Sequence, residues 1–260
     1  MTTNVLFRRT GCTALVFAGV LGTAVPALAQ RSGSGTRSSC GDAPSVGTLA
    51  RDIGQDFGRL VSTPASLGVL TLGSAAALGA HSVDRDVTRD FAGMNVNDAF
   101  TPGAIIGSTP FQLGASIAVY GIGRALGHSC AATVAADLIQ AQVMAEGLTF
   151  MIKEATRRSR PEGSGYSFPS GHTTITFASA TVLQRHFGWK VGLPAYAVAS
   201  YVAASRVEMK KHYLSDVTFG AVLGITAGRT ISVGNGRKLS ISPIASEWGP
   251  GVGVTLIGAK

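Results

Sequence analysis

The stretch Ser205-Arg206-Val207-Glu208-Met209-Lys210-Lys211-His212-Tyr213-Leu214-Ser215-Asp216 lies between two short apolar runs, 191 to 205 and 217 to 228. Runs of this length favour helices packed in a core over membrane spans. If the chain is helical at this point, His212 and Asp216 are neighbours at i and i+4. A carboxylate so placed can hold an imidazole in one tautomer, which leaves the other ring nitrogen free to attack an electrophile. A structural surface pair is the alternative for this fragment alone.

Two further patterns precede it. In Pro169-Ser170-Gly171-His172 the Pro and Gly favour a turn, Ser170 is a natural helix cap, and Thr173 to Phe177 continue as a helix. The amides that follow such a turn sit at a positive dipole end, an anion cradle with His172 beside it as a proton donor or acceptor. An ordinary capped helix start with a surface histidine is the better reading of this tetrapeptide by itself. Further back, Lys153 and Arg160-Pro161 are seven positions apart, almost two helical turns, so both cations are expected on one face of a helix that Pro161 ends. By itself, that is also what a solvated basic helix end looks like.

The charge distribution sharpens this. From Lys153 to Lys211 nine Lys or Arg face Glu154, Glu162 and Glu208, a net of +6, while the rest of the chain after residue 29 is balanced. A compact cationic segment in a neutral protein points to an anionic ligand. Nucleic acid fits less well, because these charges lie among helical apolar runs without the interleaved aromatics of a strand-binding groove.

The chain has 260 residues and is 45% apolar, enough for one substantial core. Residues 1–29 read as a secretory signal, with Arg8 and Arg9, an apolar run from Ala14 to Val25, and Ala27-Leu28-Ala29 before the cleavage point. An uncleaved anchor is the alternative. Export to a periplasmic or extracellular space would let Cys40 and Cys130 pair, although nothing in the sequence fixes their distance. Residues 30–48 are Gly/Ser-rich and are expected to be a flexible lead-in.

From 49 to 233 the pattern is all-α, a helical bundle rich in Ala and Gly, with helices expected near 49 to 61, 65 to 80, 84 to 91, 110 to 126, 131 to 158, 171 to 187, 190 to 205 and 213 to 232. Uncharged stretches at 60 to 80 and 99 to 123 have the length of a span, but each carries Pro and Gly. Asp137 and Glu146 in the long central helix favour a soluble or membrane-peripheral bundle. Residues 234–260 are expected to form a tail or a short β-hairpin after a Gly234-Asn235-Gly236 turn, from the alternation of Leu239, Ile241, Val252, Val254 and Leu256.

Together, the three patterns resemble the complete signature of the type 2 phosphatidic acid phosphatase (PAP2) and vanadium haloperoxidase superfamily, over roughly residues 80 to 232. The resemblance implies an all-helical fold and a phosphatase that uses no cofactor and no metal. It implies that His212 is the nucleophile, Asp216 orients it, and His172 is the acid and then the base. It also implies that Lys153, Arg160, Arg206, Ser170 and the Gly171 amide hold the phosphoryl oxygens. The expected partner is a phosphate ester or diphosphate, either lipid or small and soluble, with membrane association in the lipid case. Two other functions use the same residues: a vanadate-dependent haloperoxidase, and a non-catalytic binder of phosphate or anionic headgroups. The seven residues between Pro161 and Pro169 are few for the family, which leaves little chain for a lid or a lipid-binding insertion. His81, His128 and His186 match no motif and are expected to be structural or surface residues.

Overall fold

The computed structural model describes residues 43–92, 97–231, 238–246 and 249–257. Its helices are α1 (Val46–Ser62), α2 (Pro64–His81), α3 (Asp84–Ala92), α4 (Asn97–Ile106), α5 (Thr109–Ala125), α6 (Ser129–Thr156), α7 (Gly171–Phe187), α8 (Trp189–Glu208) and α9 (Leu214–Thr230). Local chemistry sets several ends. Ser45 caps α1 by accepting from the Thr48 amide at 3.2 Å, and Ser108 does the same for α5 from Phe111 at 3.4 Å. Pro64 and Pro110 occupy first-turn positions, where a missing N–H costs nothing. At the other ends, α6 stops at Arg157 with φ 47° and α7 at Gly188 with φ 73°.

The architecture is the expected all-α bundle. One helix, α4, was not anticipated, because Pro102 and Gly103 interrupt its pattern. At the N-terminal side α1 starts at Val46, within the expected lead-in. The residues before it are tied down: Tyr120 Oη donates to the Pro44 carbonyl at 2.6 Å and Arg124 to that of Ala43 at 3.0 Å. Strands β1 (Lys238–Ser246) and β2 (Gly249–Ile257) pair antiparallel, Lys238 opposite Ile257, so the expected hairpin is present. The expected signal, Cys40 and the Gly234–Gly236 turn lie outside the described residues. Cys130 is disulfide-bonded.

Helix α7 runs through the centre, with Thr173 to Val182 buried on every side. Its threonines satisfy their hydroxyls on the helix itself, as Thr174 does on the Ser170 carbonyl at 2.9 Å and Thr181 on Phe177 at 2.7 Å. Around it, Leu60, Met144, Leu148, Val182, Leu223 and Ile231 form one apolar centre, and Phe177, Val207, Leu214 and Val217 belong to a second. Against α7, helix α9 presents Gly220, Gly224 and Gly228 at four-residue spacing. A Cβ at Gly220 would lie 2.9 Å from the Ser170 carbonyl, and one at Gly228 would lie 2.7 Å from Thr181; at Gly224 it would collide with the Thr174 carbonyl. Contacts that advance together along both helices mean that α7 and α9 run parallel, with their N-termini side by side. Helix α6 runs antiparallel to α7: its Gln142 donates to Ser179 at 2.9 Å, while Lys153 near its C-terminus reaches the Pro169 carbonyl at 2.9 Å. Two helix N-termini and one basic C-terminal turn therefore meet at one pole.

Among the described residues no single helix is long and apolar enough to cross a membrane. Two bent pairs, α1 with α2 and α4 with α5, pass on length and composition together, with bends of 63° and 54°.

Candidate active site

At that pole the three sequence patterns converge. The α8 helix ends just after Arg206, and the turn 209–213 brings the chain back with the His212 amide donating to the Arg206 carbonyl at 3.1 Å. The expected helical i, i+4 geometry is corrected here: His212 sits in the turn, and Asp216 is the third residue of α9. Asp216 Oδ2 accepts from the Tyr213 amide at 2.8 Å, a capping bond that bends the carboxylate back toward the turn. This leaves Asp216 Oδ2 3.6 Å from His212 Nδ1, an ion-pair distance just beyond hydrogen bonding, with Nδ1 otherwise unpartnered among the described residues. Both side chains are almost fully buried.

The expectation for Lys153 and Arg160 is corrected in the same way. The left-handed conformation of Arg157 takes the chain out of α6 before Arg160, so the two cations do not share a helix face. They meet instead at one acceptor: Lys153 Nζ and Arg160 Nε each donate to the Tyr166 carbonyl at 3.2 Å. Ser170 occupies the N-cap of α7 without bonding an α7 amide; its hydroxyl accepts from Thr173 at 3.0 Å. The first amides of α7 are thus left available to an anion. Ser170 N–H donates to the Asp216 carbonyl at 3.2 Å, which ties the two N-termini together.

Electrostatics at this pole are those of crowded, buried cations and histidines. Burial pushes His212 down to about 4, opposed by Asp216 and assisted by Lys153 and Arg206. His172, hydrogen-bonded to the backbone of Ala104 in α4, is likewise lowered to about 4 by burial, then by Arg206 and His212. Burial, then Arg160, pulls Arg206 down to about 10, and its Nε has no partner among the described residues. Lys153 is lowered by burial and Arg160, against the pull of Asp216 and Glu146. Every one of these depressions is what a bound oxyanion would reverse.

Several residues at this pole escape sequence reasoning. Arg158, two positions before Arg160, donates to Asp216 Oδ1 at 2.8 Å, to Ser215 Oγ at 2.7 Å and to Asp84 Oδ2 at 2.7 Å. Its guanidinium also stacks 4.1 Å over the Tyr213 ring. Asp84 Oδ1 in turn accepts from the Ser215 amide at 2.8 Å. Arg158 lay inside the cationic segment, but nothing local linked it to an aspartate in α3. His81 bonds Asp84 at 3.0 Å on the outer edge of this network, and His186 pairs with Asp137 at 2.7 Å at the far end of α7. Glu146, on α6 almost two turns before Lys153, lies against Gly171.

Residues 149–238 match the model of the PAP2 superfamily. A lipid A 1-phosphatase of Porphyromonas gingivalis is 40% identical over 75 residues, 27% of this chain and 17% of the relative. A decaprenylphosphoryl-5-phosphoribose phosphatase of Mycobacterium tuberculosis is 38% identical over 106 residues, 36% of this chain and 58% of the relative. The chain therefore spans less than two thirds of the length of both. In fold, it resembles the crystal structure of the first transmembrane PAP2-type phosphatidylglycerolphosphate phosphatase from Bacillus subtilis, with a TM-score of 0.50 and 19% identity over 70% of this chain and 92% of that one. The match to the PAP2 superfamily thus falls on the segment of this chain that carries His172 and His212.

Proposed function

We propose that the protein is an exported, metal-independent phosphatase that hydrolyses a phosphate monoester or diphosphate by way of a phosphohistidine. The observation that carries this reading is the buried His212 imidazole, neutral at physiological pH, with Nδ1 facing Asp216 and with Lys153 and Arg206 close enough to act on its charge. With Nδ1 turned to the carboxylate, Nε2 is the free nucleophilic nitrogen. Its attack on phosphorus forms a P–N bond as the P–O bond to the leaving group breaks. His172 gives that oxygen its proton; it then takes one from the water that attacks phosphohistidine, freeing His212 and inorganic phosphate. Lys153, Arg160 and Arg206, with Ser170 and the Gly171 amide, bind the three equatorial oxygens, where charge accumulates in the transition state. Three cations supply the charge stabilisation that a metal ion provides elsewhere.

For the substrate we favour a lipid phosphate or lipid diphosphate. Both curated relatives are named for lipid-linked phosphates. The helices also carry exposed apolar side chains suited to a bilayer surface, among them Leu72, Leu78, Ile117, Ile122 and Phe150.

The test is phosphate release by purified protein in EDTA, with a lipid phosphate in detergent set against a small chromogenic ester. Wild type is expected to be active on both and faster on the lipid, and His212→Ala is expected to be inactive. Full activity in His212→Ala would remove the mechanism, and equal or better turnover of the soluble ester would remove the lipid assignment.

A further inference from the structure

Glu146 is a buried carboxyl at this pole that the proposed mechanism does not use. It projects from α6 between two of the proposed phosphate ligands. A Cβ on Gly171 would lie 3.4 Å from its Oε2 and 3.5 Å from its Oε1, so the carboxyl rests against the first residue of α7. On its own helix it is seven positions before Lys153, and each group senses the charge of the other. Thr109 of α5 bonds it, while Oε1, buried, has no partner among the described residues. A negative group at a helix N-terminus built to receive an anion competes with that anion for the same positive field. Lys153, on the same helix, is the cation that favours its ionised form. Burial is the largest influence on the carboxyl and raises its pKa, which makes its ionised form a strained one that a nearby phosphate dianion strains further.

We propose that Glu146 is a release residue: its carboxylate repels bound phosphate at the α7 cradle and so limits how tightly the product is held. This rests on the phosphatase reading above and adds to it the reason why a site with three cations would still turn over. A residue that only packed against Gly171 would act through its size; this one acts through its charge.

The test is competitive inhibition by inorganic phosphate, measured at about pH 8, well to the alkaline side of the ordinary carboxyl range. Glu146→Gln keeps the size and the Thr109 bond but removes the charge, and should lower the phosphate inhibition constant at least about fivefold, with KM falling and kcat limited by release. Glu146→Asp keeps the charge and should stay within about twofold of wild type on the same charge argument. Thr109→Val withdraws a bond that favours the ionised form and should shift the constant in the same direction as Glu146→Gln, by less. An inhibition constant in Glu146→Gln equal to or above that of wild type overturns the proposal, as does an equal shift in Glu146→Asp. Absence of phosphate release by the wild type would instead remove the phosphatase reading beneath it.

Discussion

Arg158 bridges Asp84 and Asp216, donating at 2.7 Å to one and 2.8 Å to the other, so the carboxylate beside His212 is held through Oδ1, the oxygen other than the one nearest the ring. Asp216 can therefore present Oδ2 to the imidazole at a fixed angle while its charge is partly balanced. Replacing Arg158 with Ala would leave two buried aspartates without their cation. We expect a loss of about 3 kcal/mol in unfolding free energy, at the low end for broken buried pairs because Arg158 is partly exposed. We also expect a 10- to 100-fold drop in kcat with KM nearly unchanged, as for other partners that orient a reacting group. Urea unfolding and steady-state kinetics measure the two, and wild-type kcat in the variant would show that Asp216 needs no such support.

How far this site could be read from sequence depends on how local each cause is. The motif positions Lys153, Arg160, Ser170, His172, Arg206, His212 and Asp216 all lie at one pole, because short-range patterns of charge, Gly and Pro fixed the ends of α6, α7 and α9. What failed was local geometry that depends on a few dihedral angles. Arg157 turns left-handed and moves Arg160 off the helix, and the turn before α9 leaves His212 outside it. Helix α4 was hidden because Pro102 and Gly103 break its period, yet it lies against His172: a Cβ on Gly107, just past its end, would come within 3.2 Å of the His172 Cβ. The Asp84 link was illegible for another reason, since it joins residues 131 positions apart and only packing reveals it.

The glycine stripe on α9 makes its own prediction. Gly224→Ala would drive a methyl group into the Thr174 carbonyl, and α7 cannot yield without moving His172, two residues before Thr174. Overpacking of this kind costs roughly 1 to 3 kcal/mol. Because the two N-termini would separate, activity should fall as well, whereas Gly79→Ala on α2, where a Cβ meets nothing within 4 Å, should leave both untouched. Thermal melts and turnover of the pair are the comparison, and equal behaviour of the two variants would mean that α7 and α9 are not in close contact.

The depressed histidines make stability depend on pH. His172 and His212 titrate at about 4 in the folded protein against an ordinary value of 6.5. Below pH 6.5 the unfolded chain takes up protons that the folded chain refuses, so stability is full above that value, falls as pH drops toward 4, and levels off below it. The loss is at most about 3 kcal/mol for each histidine. His212→Gln, which does not titrate, should remove its share of that slope in unfolding measured between these limits. An unchanged slope would mean that the ring is solvated and ionisable in the folded state. Saturating phosphate should flatten the slope in the wild type, since a bound oxyanion favours the charged imidazoles.

The last prediction separates the two proposed steps of the reaction through His172. A leaving group as weakly basic as nitrophenolate needs little help from an acid, whereas water attacking the phosphohistidine still needs a base. His172→Ala given p-nitrophenyl phosphate should therefore release nitrophenol in a rapid burst approaching one equivalent per enzyme, followed by turnover reduced about 10²- to 10⁴-fold, the usual worth of a general base. With an alkyl phosphate, whose leaving group does require a proton, the same variant should show neither burst nor turnover. Acid-labile, base-stable phosphate trapped on the protein during the burst, and missing in His172→Ala combined with His212→Ala, would locate the intermediate on His212. If the burst occurred in the double variant too, the nucleophile would have to be another residue, and the 3.6 Å approach of Asp216 to His212 would serve structure alone.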